Sequence, residues 1–170
     1  TESRGASFVG WHPEAAELLV ATRFGSTNQI HEVRRAGGAR RQLTFFAEPV
    51  NAADWDPRDA AFLLFTRDAG GNEFSQLYRL DVADGQVTLL SDGGRSQNGG
   101  HVWSHDGSLI AYASTRRNGA DRDVWVMDPR DPANPLLMGN EDQEGVFLGP
   151  VNAANEWTDA IRRVNRTVRG

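Results

Sequence analysis

The chain has 170 residues, a net charge of −5 and no cysteine. That length suits one ordinary domain, and the acidic balance argues against a general phosphate-binding surface and so against nucleic acid as a partner. The missing thiol excludes disulfides, a cysteine nucleophile and cysteine-ligated metal, and no apolar run approaches the roughly 20 residues of a membrane span.

In chain order, a short strand leads to Trp11, and the turn His12-Pro13-Glu14 follows. An apolar run, Leu18 to Ala21, ends in Thr22-Arg23, then comes a polar, glycine-bearing turn from Phe24 to Asn28. The alternating segment Gln29 to Val33 and a short closing run, Gln42 to Thr44, complete the unit. Alternation of apolar and polar residues is the period of a half-buried strand. The same order recurs from Trp55-Asp56-Pro57, through Phe62 to Phe65, Thr66-Arg67 and Gln76 to Leu80, to Thr88 to Leu90. It recurs again from Trp103-Ser104-His105-Asp106-Gly107, through Leu109 to Tyr112, Thr115-Arg116 and Asp123 to Met127, to Leu136 to Met138.

The Trp-to-Trp spacings are 44 and 48 residues. Four short strands in about 40–45 residues is the blade of a β-propeller. The turns match: Gly37-Gly38, Asp84-Gly85 and Asp106-Gly107 supply the positive φ that tight hairpins need. Pro13 and Pro57 sit just past the Trp, where a strand has ended and no ladder hydrogen bond is lost. The predicted fold is therefore all-β: three four-stranded antiparallel blades of a partial propeller at residues 8–50, 51–98 and 99–140, inside a domain over 1–145.

The strings Trp103 to Arg117 and Asp123 to Asp128 resemble the WD40-like propeller repeat of the TolB type, which also builds the N-terminal propeller of prolyl-oligopeptidase-family serine peptidases. Phe8 to Pro13, Ala21 to Gly25, Gln42 to Val50 and Gly71 to Leu80 look like the opening blades of bacterial peptidases of that family. The resemblance covers residues 5–145. It implies a propeller that caps an α/β-hydrolase domain carrying the Ser, Asp and His, and gates peptide substrates by pore size. The hydrolase domain would then be the first partner. The alternative implication is a TolB-like propeller that binds another protein in the cell envelope, and a third is a truncated derivative without function. Either a periplasmic or a cytoplasmic bacterial location is compatible.

A closed propeller has about four to eight blades. Three blades therefore predict a piece of a longer protein, a ring closed by association, or an open remnant whose bare edges invite self-association. Thr at position 1 fits the first of these. Past Gly145 the repeat gives way to a divergent tail, 146–170. Trp157, Ile161, Val164 and Val168 form a helical stripe, with Asn155 as cap and Arg162, Arg163, Arg166 and Arg169 in later turns, so a helix is expected over 156–169. It reads as a terminal helix on a blade face or edge, as a basic element for an anionic membrane or partner helix, or as a stretch without selected structure.

The search for chemistry returns no catalytic, cofactor-binding or metal-binding residue. No Gly-x-Ser-x-Gly string occurs, so the family's catalytic Ser, Asp and His have no counterpart. His12, His31, His101 and His105 lack zinc spacing. Glu141 to Glu144 lacks the ligand alternation of a calcium loop and reads as a solvated loop. Asp81 and Asp128, closing the third strands, are expected to bond backbone. Asp92 to Gly100 lacks the Lys of a phosphate loop and reads as a connection between blades. Trp11, Trp55 and Trp103 are expected to pack between blades, and the three Thr-Arg pairs to serve blade architecture. The resemblance points to acidic propeller residues that hold a substrate's amino terminus; Glu48 and Glu73 are the loop candidates, without a motif that fixes the role.

Overall fold

The computed structural model describes residues 5–68 and 70–139. They form twelve strands and no helix: β1 (Ala6–Trp11), β2 (Leu18–Thr22), β3 (Gln29–Val33), β4 (Arg40–Gln42), β5 (Ala53–Trp55), β6 (Phe62–Arg67), β7 (Gln76–Asp81), β8 (Val87–Leu89), β9 (Asn98–Trp103), β10 (Ile110–Ser114), β11 (Asp123–Asp128) and β12 (Asp131–Gly139). They pair in sequence order as three four-stranded antiparallel sheets, β1 to β4, β5 to β8 and β9 to β12. The first strand of every sheet ends on the repeated Trp. The expected helix over 156–169 and the Glu141 to Glu144 loop lie outside the described residues. The chain divides into two compact units, Thr1–Gly93 with the first two sheets and Gly94–Gly170 with the third.

Each unit repeats the same local bonds because each repeat has the same problem to solve. The residue after the Trp closes the first hairpin with its N–H: His12 donates to Glu17 (2.9 Å), Asp56 to Phe62 (3.0 Å) and Ser104 to Leu109 (2.8 Å). Its side chain then accepts a turn N–H, from Glu14 at His12 Nδ1, from Arg58 at Asp56 and from Leu109 at Ser104 Oγ. Three different residue types thus do one job, each giving a turn N–H its acceptor. Gly107, at φ 67°, takes the left-handed position in the third of these turns. Asp128 accepts the N–H of Arg130, as an aspartate at a strand end should.

The exits of the first two sheets are also built in the same way. Gln29 opens β3 and its amide holds the connector after β4, donating to the carbonyls of Phe46 and Glu48 and accepting from Phe46 N–H. Thr44 Oγ1 accepts the N–H of Ile30. In the second sheet Gln76 accepts from Gly93 N–H and the Ser91 hydroxyl, and Ser91 Oγ accepts from Leu77 N–H. In both sheets a glutamine and a hydroxyl residue therefore hold the chain where it leaves the sheet.

The core of the first unit lies between its two sheets. Leu19, Ala21 and Ile30 of the first sheet meet Ala53, Trp55, Leu63, Phe65 and Leu80 of the second, with Val50 of the connector, all buried. The pairing register explains the composition. Trp55 lies opposite Leu63 and Leu63 opposite Leu80, while Ala53 lies opposite Phe65 and Phe65 opposite Tyr78. Opposed residues share a face, so these rows make one continuous apolar surface. Phe62 and Leu64, pointing the other way, are buried as well, and β6 reads as an unbroken apolar run because both its faces are covered. In the second unit Ala111, Val124 and Val126 cluster with Val102 and Leu109.

Truncating Phe65 to Ala should therefore cost about 3–5 kcal/mol of unfolding free energy. Val87→Ala, on an exposed edge, should stay within about 0.5 kcal/mol. Urea titration followed by Trp fluorescence measures both, and near-equal costs would disprove the placement of the core.

Candidate protein-interaction surface

The rows that make a buried surface on the second sheet have counterparts on the first. Trp11 lies opposite Leu18, Leu18 opposite Val33 and Val33 opposite Arg40; Phe8 lies opposite Val20, Val20 opposite His31 and His31 opposite Gln42. A register shift between Phe8 and Gly10 brings Phe8 and Trp11 onto the same face despite their odd spacing, with ring centroids 5.6 Å apart. A glycine inside a strand is the local signal for such a bulge.

The two equivalent faces differ in cover. Trp55 is 7 % exposed, while Trp11 is 63 % and Phe8 58 % exposed. The expectation that each repeated Trp packs between blades is met by Trp55, which takes the His12 ring edge-on at 4.8 Å, and not by Trp11. The reason is positional. The Trp face of the second sheet rests on the Leu19, Ala21 and Ile30 face of the first, whereas the Trp face of the first sheet points away from that core. An exposed indole, a phenyl ring and the half-buried Leu18, Val20 and Val33 form a contiguous apolar patch, and such patches mark interaction sites.

Phe24 extends the patch. It is 51 % exposed and stands edge-on to the buried His31 ring at 5.1 Å. His31 Nδ1 lies 3.0 Å from the Gln29 carbonyl, and that contact sets the ring's orientation. Arg40 reaches back across the same face, donating to Thr22 Oγ1 at 3.2 Å, with its guanidinium 5.6 Å from the Phe24 ring centroid. In the other sheets the position of His31 is held by Tyr78 and Trp125, and there the arginine of the repeated Thr-Arg pair covers the ring: Arg67 over Tyr78 at 4.8 Å and Arg116 over Trp125 at 4.7 Å. Two of the Thr-Arg pairs thus serve cation–π stacking inside a blade. In the first sheet Arg23 is exposed and Phe24 occupies the place over the ring.

Of the two acidic candidates, Glu48 is engaged and, among the described residues, Glu73 is not. Glu48 accepts from Gly70 N–H at 2.8 Å and from Arg67 at 3.1 Å. Arg67 also lies 4.3 Å from the Phe46 ring centroid, and Phe46 packs on Phe65. The assembly clasps the connector of the first sheet to the second. The Gly70 N–H, the backbone N–H of Glu48 itself and the Arg67 charge hold the Glu48 carboxyl below its ordinary range. Glu73 stands exposed in the β6–β7 turn with a left-handed φ of 63°. Of the four histidines, His12 serves a turn, His31 is buried in sheet one, and His101 and His105 flank Trp103 in the sequence. Among the described residues no three His, Asp or Glu side chains gather as a metal site, and no helix is long and apolar enough to cross a membrane.

No protein-family model and no curated protein sequence matches the chain. Solved structures do. Putative TolB from Agrobacterium tumefaciens matches with a TM-score of 0.63 at 18 % identity, over 80 % of this chain and 50 % of that one. TolB from Acinetobacter baumannii matches with a TM-score of 0.57 at 17 % identity, over 84 % of this chain and 33 % of that one. A chain of a nidogen/laminin complex matches with a TM-score of 0.53 at 12 % identity, over 74 % of this chain and 44 % of that one. The chain spans half or less of the length of these structures. At such identities the likeness is one of fold, and the fold is a TolB-like partial β-propeller.

Two expectations follow from this geometry. Trp55→Ala should cost about 3–5 kcal/mol and Trp11→Ala under about 0.5 kcal/mol, although both are the same residue at the same repeat position. Equal unfolding midpoints would refute the asymmetry. The clasp should be pH-dependent. Because the folded carboxyl of Glu48 sits below its ordinary value, its stabilisation is complete above about pH 4.3 and fades as pH falls through the lower folded value. Glu48→Gln should remove that acid-side loss from a series of urea midpoints.

Proposed function

We propose that this part-propeller is a non-catalytic protein-interaction module whose contact surface is the Trp11 face of the first sheet. One observation supports the reading above all: the same Trp-led face is buried in the second sheet and bare in the first. Trp and Phe at the centre of an exposed patch offer large buried area with few rotatable bonds, the chemistry of interface anchors. The TolB-like fold is consistent with it, since a propeller supplies a rigid scaffold of sheets on which such a surface can be presented.

A finer reading has its own support in the sequence. The strings Phe8 to Pro13, Gln42 to Val50 and Gly71 to Leu80 resemble the propeller of prolyl-oligopeptidase-family peptidases. On that reading the module caps an α/β-hydrolase domain and gates peptides, and the partner of the Trp11 face belongs to the same assembly. Sequencing the encoding locus through both ends in all frames tests it: further blades and a Gly-x-Ser-x-Gly domain would support the cap, and unrelated sequence on both sides would end it.

The interaction reading is tested by a photo-crosslinking residue placed at position 11 in cells, with position 87 as an exposed control. A discrete protein adduct is expected at 11 and not at 87. No adduct at 11, or the same smear at both, would count against the proposal.

A further inference from the structure

The loop that joins β10 to β11 carries one of the two Asn-Gly pairs in the chain, Asn118-Gly119; the other, Asn98-Gly99, opens β9. Asn-Gly is a labile dipeptide toward deamidation, because glycine puts no side chain in the way when its backbone nitrogen closes on the asparagine Cγ. The two pairs sit differently. Asn98 is 5 % exposed and donates to the Ser96 hydroxyl inside the sheet. Asn118, Gly119 and Ala120 are exposed, so water and hydroxide reach them.

Exposure alone would leave position 118 reactive, yet each polar group that the reaction uses is engaged. The nucleophile, the Gly119 N–H, donates to the Thr115 carbonyl at 2.7 Å. The Asn118 Oδ1 accepts the N–H of Ala120 and that of Asp121, each at 3.0 Å. The leaving nitrogen, Nδ2, donates to the Asp121 carboxylate. Gly119 has a φ of 80°, in the left-handed region that glycine enters without strain. Arg117 donates to Asp121 and, at 2.7 Å, to the buried Asp123 at the start of β11, which ties the loop to the sheet.

We propose that Asn118 is a deamidation site gated by this turn, and that its conversion is a one-way ageing switch in the third sheet. The step needs only water. The bond from Gly119 N to Cγ forms, the Cγ–Nδ2 bond breaks, and ammonia leaves with the Gly119 proton. Water then opens the cyclic imide at either carbonyl, giving aspartate or isoaspartate. Ring closure requires Gly119 to surrender its proton, and a hydrogen-bonded N–H is surrendered while its turn is open, as in amide hydrogen exchange. The reaction therefore runs from the open loop, and its products do not restore the closed one. Aspartate puts an acceptor-only carboxylate where Nδ2 had donated to Asp121, setting like charges against each other. Isoaspartate lengthens the main chain by one carbon, which moves Gly119 out of register with Thr115. Opening is thereby made permanent beside the Ser114–Asp123 end of the β10–β11 pairing.

The test incubates the whole chain in mildly alkaline buffer, folded and in concentrated guanidinium chloride, with peptide mapping by mass spectrometry and amide exchange followed in parallel. The folded chain should convert at position 118 at least about tenfold more slowly than the unfolded one. Asp121→Ala, which frees Nδ2, should move the folded rate toward the unfolded rate, with circular dichroism showing that its sheets remain. The converted chain and Asn118→Asp should both exchange the Gly119 and Ala120 amides faster than wild type, while the β2 and β3 amides stay unchanged. Asn118→Gln, whose longer side chain closes the ring far more slowly, should lose the mass shift. Equal folded and unfolded rates, or first conversion at Asn98, would overturn the gated site. Unchanged exchange after conversion would overturn the switch, and an unchanged rate in a folded Asp121→Ala chain would remove the hold on Nδ2 from the gate.

Discussion

A small twisted sheet with two apolar faces cannot stand alone in water, and everything else in this molecule follows from how its sheets meet that constraint. The seam between the first two sheets is the solution it shows most fully. The Trp-led rows of the second sheet lie on the Leu19, Ala21 and Ile30 face of the first. Burial at roughly 25 cal/mol per Å² of apolar surface makes such a seam the dominant favourable term. The connector has to turn sharply to bring the second sheet into place, so Gln29, Thr44, Glu48 and Arg67 are spent on holding it there.

The same constraint gives the Trp11 face its meaning. A repeat copies the apolar rows into every unit, whether or not a neighbour within the described residues covers them. Where a neighbour is present the rows become core, and where it is not they become surface. The first sheet also differs in detail from its siblings: Phe24 replaces the stacked arginine over the third-strand ring, and its turns and outer edge carry the arginines. Of these departures from the repeat, Phe24 and Arg40 fall on the Trp11 face, while Glu32 and Arg41 share the opposite face with Leu19.

Much of the scaffold was legible from pattern alone. The Trp-turn, the apolar run, the Thr-Arg pair and the alternating strand have strictly local causes: pleat period, turn geometry and the backbone's need for partners. The β12 strand is longer than its short apolar run suggests, spanning Asp131–Gly139, because pairing with β11 accommodates two register shifts that no local period announces. Three residues of the Gly-rich string, Asn98 to Gly100, likewise prove to open β9; glycine hides strand character because it has no side chain to alternate.

The candidate surface was far less legible. Trp11 and Trp55 each end a first strand two residues before a Pro, and only the position of each sheet relative to a neighbour separates an exposed Trp from a core one. The Phe8–Trp11 pair depends on a bulge, the His12–Trp55 contact joins residues 43 positions apart, and the clasp of Phe46, Glu48 and Arg67 joins a connector to a strand of the next sheet. By itself, then, the sequence determined the repeat, the strand order and the class of fold, because those arise within a single blade of about 40–45 residues. Only the tertiary structure decided which copy of a repeated face is buried and which is offered to solvent, because burial is a property of the space between blades.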